Sequence, residues 1–184
     1  DHSGVQPDIM VIGKNITGGI MPNAMVVGTE KAMGNNSARS GSTFAGSPAG
    51  CAAGIKTLEI YERDNVIENA AKLGEIALNR MKKWEKEFPL LVTNARGTGL
   101  LLGATITDKE GNPSNEFGAA VQNEALKRGA YIINDTEPSI RLYPALNMDE
   151  KIMDKGLSII EEALKEVSKE DYVPSTWPRY FTTQ

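Results

Sequence analysis

The charged residues of this chain are unevenly placed, and that placement constrains its folding more than any other feature. Residues 1–61 hold only 8 charged side chains, four of each sign, while residues 62–184 hold the other 36. Between Ile9 and Thr29 the only charged side chain is Lys14, and 10 of the 18 glycines lie before residue 62. Glycine-rich, weakly charged sequence with few large apolar residues does not build its own core and packs against something else. The split predicts two regions, 1–61 and 62–184. The chain also opens at Asp1, so it reads as a piece entered partway through a domain.

The remaining composition mainly excludes. A net charge of −4 and the lack of any Lys/Arg run argue against a nucleic-acid partner. One cysteine, Cys51, and one histidine, His2, cannot make an internal disulfide, a zinc site or the usual Ser-His or Cys-His nucleophile pair, so no metal is expected. A reducing, cytoplasmic setting fits. No stretch approaches the roughly 18 unbroken apolar residues of a membrane span, and no signal-peptide pattern opens the chain.

Residues 8–12, Asp-Ile-Met-Val-Ile, form an apolar run ended by Gly13, the pattern of a strand buried on both faces. Residues 15–22 carry turn chemistry, and 24–27 make a second short strand closed by Gly28. Residues 34–50 are small and polar, a loop of the length that is usually functional or disordered. Ser47-Pro48 then supplies an N-cap and a first-turn proline for a helix whose early small residues let another backbone approach. Val66, Ala70, Leu73, Ala77, Met81, Trp84 and Phe88 recur at spacings of three and four, so a second helix is expected, opened by Asn65 with Glu68 and stopped by Pro89. Beyond it the pattern predicts strands at 92–93 and 100–106, a helix over 116–128 ending at Gly129, short strands at 131–133 and 140–143, and an amphipathic helix over 149–167. The tail after Ser168, with Pro174, Trp177 and Pro178, reads as irregular sequence that wraps onto a surface.

A lysine just past a strand is ordinarily solvated. The apolar strands and glycines around Lys14 make it also a candidate for a desolvated amine that forms Schiff bases. A phosphate-binding NTPase loop would need glycine at position 8 and Ser or Thr at 15, where Asp8 and Asn15 stand. The dinucleotide fingerprint fails on the spacing of Gly97, Gly99 and Gly103. Ser42, Thr43 and Ser47 gather hydroxyls ahead of a helix N-terminus, where a phosphate is favoured, although the composition equally suits a surface linker. Arg141 lies between Ile140 and Leu142 in a strand pattern, so its side chain points opposite to theirs, either as an exposed edge-strand arginine or as a carboxylate clamp.

Four segments, PDIMVIGKNITGGIMPNAMVVG (7–28), SGSTFAGSP (40–48), ARGTGLLLGATI (95–106) and SIRLYPALN (139–147), resemble in order and spacing the C-terminal half of class III aminotransferases. These are pyridoxal-phosphate enzymes of fold type I, among them the 4-aminobutyrate, ornithine and acetylornithine aminotransferases. The resemblance implies an α/β fold: the end of a large-domain sheet carrying the lysine strand, residues 1–61, then a small α/β domain with an irregular tail, residues 62–184. It implies that Lys14 holds pyridoxal 5'-phosphate as a Schiff base and shuttles the proton. It further implies that Thr43, with Ser42 beside it, binds the cofactor phosphate of the neighbouring subunit, that Arg141 holds a substrate carboxylate, and that Arg96-Gly97 forms a structural turn. The implied reaction moves an amino group from an amino acid or ω-amine to a 2-oxo acid in a homodimer or higher assembly.

Asn15, Ser40, Ala45, Ser47 and Thr98 depart from the family pattern, which has Gly, His, Gly, Asn and Arg at those places; the departures bear on substrate choice more than on cofactor binding. The family's glycine-rich phosphate loop, its stacking aromatic ring and the aspartate that pairs with the pyridine nitrogen have no counterpart in these residues. The chain is therefore expected to be a fragment or one half of a split enzyme, inactive without an N-terminal half. Racemase, aminomutase or decarboxylase chemistry on the same fold, and a non-catalytic partner subunit, are the alternatives.

Overall fold

A computed structural model describes residues 4–34, 43–134 and 137–174. The chain divides into two compact units, Asp1–Val66 and Ile67–Gln184.

In the first unit, β1 (Ile9–Gly13) pairs antiparallel with β2 (Ala24–Gly28), Val11 opposite Val26 and Gly13 opposite Ala24. A single 3-10 turn, Asn15–Thr17, lies in the connection. One turn of helix, α1 (Glu30–Met33), follows β2, capped by the Thr29 hydroxyl. The helix α2 (Pro48–Arg63) has proline in its first turn as expected, but Ser47 makes no side-chain cap bond. The expectation for β1 needs correcting. Ile9, Met10 and Val11 are exposed, Val11 at 75%, as are Met25, Val26 and Val27. Two strands paired along one edge leave both faces of the ribbon without a packed layer, so apolar side chains on either side are exposed among the described residues.

The second unit holds the core. The helix α3 (Val66–Glu87) buries the whole predicted stripe, with Leu73, Ala77, Met81 and Trp84 fully enclosed. Its start is not a capping box. Asn65 has φ 49° and its N–H reaches the Glu62 carbonyl, so it terminates α2 in the left-handed conformation that asparagine tolerates.

The strands β3 (Val92–Thr98), β4 (Leu101–Ile106) and β5 (Ser139–Leu142) form an antiparallel sheet in that order. β3 is longer than predicted because an irregularity between Thr93 and Arg96, with Asn94 at φ 53°, interrupts its alternation. Arg96 and Gly97 lie within this strand, and the turn falls at Gly99 and Leu100. Leu102, Ala104, Ile106, Ile140 and Leu142 join the core with α3, α4 (Asn115–Lys127) and α5 (Glu150–Val167). Ser114 and Asp149 cap α4 and α5 through their side chains. The strand expected at 131–133 reduces to one bridge, Ile133 to Arg141. Of the tail, Tyr172 packs against the core, whereas Trp177 and Pro178 lie outside the described residues.

Candidate functional site

Lys14 stands where β1 ends. Its backbone, φ 57° and ψ −100°, occupies a region that non-glycine residues rarely enter. Such conformations cost about 1–3 kcal/mol and persist only where the surroundings enforce them. On one side the enforcement is the pairing of Gly13 with Ala24. On the other it is the loop 15–23, which lies along α2. The lysine side chain is exposed, and the ribbon that carries it has no covering layer among the described residues.

The seat for this loop is one face of α2. Gly50, Gly54 and Thr57 are the buried residues of the helix, and with Tyr61 they recur at spacings of four, three and four, a single helical face. A Cβ on Gly50 would lie 2.7 Å from the Asn23 amide nitrogen, and one on Gly54 would lie 3.6 Å from the Ile16 carbonyl oxygen. Gly18, in left-handed conformation, sits against the Thr57 hydroxyl. Asn15 Nδ2 donates to the Tyr61 hydroxyl at 3.3 Å. Buried Thr17 donates its hydroxyl proton to the Met21 carbonyl at 2.5 Å, closing the loop on itself. Small residues after Ser47-Pro48 hinted at a close backbone approach; that the approaching backbone is the lysine loop was not legible.

Thr43 is exposed in the turn ahead of α2, in the same unit as Lys14, and Ser42 lies outside the described residues. Arg141 belongs to the second unit. It is half-buried on β5 between buried Ile140 and Leu142, while Ser139 on its own side of the strand is buried, so the burial alternates only in part. Its N–H donates to the Ile133 carbonyl at 2.8 Å, and Gly103 opposite it on β4 leaves room for the arginine stem. The guanidinium carbon lies 5.9 Å from the centroid of the Tyr143 ring, within cation–π range. Tyr143 was not singled out from sequence, although its i+2 spacing from Arg141 on a strand was the available signal.

A sequence profile described as aminotransferase class-III matches residues 1–164. The chain is 30% identical to an acetylornithine aminotransferase of Archaeoglobus fulgidus over 160 residues, 87% of this chain and 38% of that protein. It is 31% identical to an alanine/serine racemase of Pyrococcus horikoshii over 169 residues, 88% of this chain and 34% of the relative. The crystal structure of acetylornithine aminotransferase from Elizabethkingia anophelis superposes with a TM-score of 0.80 at 29% identity, covering 90% of this chain and 40% of that one. The chain thus spans just over a third of the length of these curated relatives. With the family profile running from the lysine strand through most of α5, and with the α/β elements of fold type I transaminases in place, this chain belongs to the class III aminotransferase family.

Proposed function

We propose that the protein takes part in pyridoxal-phosphate-dependent transamination, with Lys14 as its catalytic residue. The observation that carries this reading is the enforced backbone of Lys14, which presents an exposed amine at the end of a strand. The donor set fits the cofactor. An amine on a fixed turn suits its aldehyde, and the Thr43 hydroxyl, ahead of a 16-residue helix whose N-terminus Ser47 leaves uncapped, suits the phosphate of a neighbouring subunit's cofactor. When bound, pyridoxal phosphate supplies an electron sink that acidifies the hydrogen on the substrate carbon bearing the amino group.

In this reading Lys14 Nζ would hold the cofactor and, once the substrate amine has taken its place, would move the proton from that carbon to the cofactor carbon bonded to the same nitrogen. Thr43 and Ser42 donate hydrogen bonds to phosphate, in the family manner to that of a neighbouring subunit, so the working form is a homodimer or larger assembly. Arg141, steadied by Tyr143, binds a substrate carboxylate through paired N–H groups. The amino donor is an amino acid or ω-amine and the acceptor a 2-oxo acid. The short coverage of the relatives supports further polypeptide completing the site, so that these residues by themselves are a poor catalyst. No helix among the described residues is long and apolar enough to cross a membrane, and a cytoplasmic setting fits this reading.

The test is to incubate the protein with pyridoxal phosphate, reduce with borohydride and map the labelled peptide. Label is expected on the Lys14 peptide and absent from that peptide in Lys14→Ala; a labelled protein with Lys14 unmodified would sink the assignment. The similarity to an alanine/serine racemase supports a second reading, proton return to the opposite face at the same lysine. Amino transfer to 2-oxoglutarate or pyruvate separates the two, since a racemase inverts its substrate without passing on nitrogen.

A further inference from the structure

We propose that Asn15 and Tyr61 are positioning residues for Lys14, their hydrogen bond fixing the rotation of the turn that presents the amine. The inference rests on the reading of Lys14 as the cofactor-holding lysine. Four contacts seat loop 15–23 on α2. Three are packing contacts at Gly50, Gly54 and Thr57, which press the loop against the helix. Packing on small residues resists separation but only weakly resists sliding or twisting, because no directional bond is broken by either. The fourth contact, Asn15 Nδ2 to Tyr61 Oη, is directional and runs from side chain to side chain.

Asn15 is also the residue bonded to Lys14, so its orientation is transmitted through one peptide plane, which is itself rigid. The Lys14 conformation at φ 57° is uphill, and it relaxes toward ordinary backbone geometry whenever the next residue is free to turn. Pinning Asn15 removes that freedom. A glycine following the lysine has no side chain to reach Tyr61, so the pin is a property of this chain's asparagine. Tyr61 itself is anchored as part of α2, one helical turn beyond Thr57.

The experiment measures the rate of Lys14 labelling by pyridoxal phosphate with borohydride trapping in the full chain, read by peptide mass spectrometry. Exposed Lys31 serves as the internal reference. Asn15→Ala and Tyr61→Phe are each expected to slow Lys14 labelling about three- to tenfold, the loss of one modest hydrogen bond, while Lys31 labelling stays put. The double variant is expected to be no slower than either single one, since both remove the same bond. Wild-type rates in both single variants, or effects that multiply in the double variant, would overturn the proposal. Should Asn15→Ala fail to fold, Tyr61→Phe keeps its ring and carries the test alone. Lys14 unlabelled in the wild-type chain would instead overturn the underlying reading of Lys14.

Discussion

Gly74 shows how one missing side chain can decide packing. It lies inside α3, where glycine is unfavourable by about 1 kcal/mol relative to alanine. A Cβ there would stand 2.2 Å from the Gly99 carbonyl oxygen, so the helix meets the β3–β4 turn backbone to backbone. Gly74→Ala is therefore expected to destabilise by about 1–3 kcal/mol despite its better helix propensity. Gly156→Ala in α5, where nothing lies within 4 Å of the added carbon, is expected to stabilise by about 0.5–1 kcal/mol. Urea unfolding of the pair checks both signs; two stabilising changes would mean that the Gly74 contact yields easily. At the same scale, Arg141 was legible because strand alternation is local. The positive φ of Lys14 was not, because no residue pattern announces a conformation that its neighbours impose.

Among elements, α4 and α5 are joined partly through charge. Glu124 is buried on α4, with Lys127 Nζ 2.6 Å away and Arg128 on its second oxygen. Arg128 also reaches Glu162 and Glu166 of α5 at 4.0 and 3.9 Å. Burial pushes the Glu124 carboxyl up, but hydrogen bonds from Lys127 and Arg128 outweigh it and hold the group below the usual glutamate range. A carboxyl depressed on folding contributes stability above its unfolded value and loses that contribution as pH falls through the folded one. The thermal midpoint is thus expected to drop on acidification below the ordinary glutamate range, and Glu124→Gln to flatten part of that drop; equal slopes in the two proteins would place the acid sensitivity elsewhere. The stripes of α3 and α5 were readable, since burial of one helical face repeats every three or four residues. The assignment of Asn65 to the end of α2 was not, because an asparagine before a helix serves either neighbour.

For the molecule as a whole, the two units differ in what they bury. The second encloses Trp84, Leu73, Ile140 and Leu164, whereas the β1–β2 ribbon exposes apolar residues on both faces. A two-stranded ribbon alone is marginal in water. Backbone amides of Val11 and Val26 are accordingly expected to exchange with deuterium far faster than those of Leu102 and Ala104. Equal protection would mean that the ribbon is covered in solution. Most of the long elements, the charge-poor first third, the Lys14 and Arg141 positions and the family were legible in the chain alone, because periodicity and motif spacing are local, whereas the extent of β3 and the loss of a strand at 131–133 were not. The fold alone shows that loop 15–23 lies on the Gly50, Gly54, Thr57 and Tyr61 face of α2, that α3 touches Gly99, and that the apolar side chains of β1 have no covering layer among the described residues. Those outcomes depend on which backbone arrives from elsewhere in the chain, and close approach between distant segments leaves no local pattern to read.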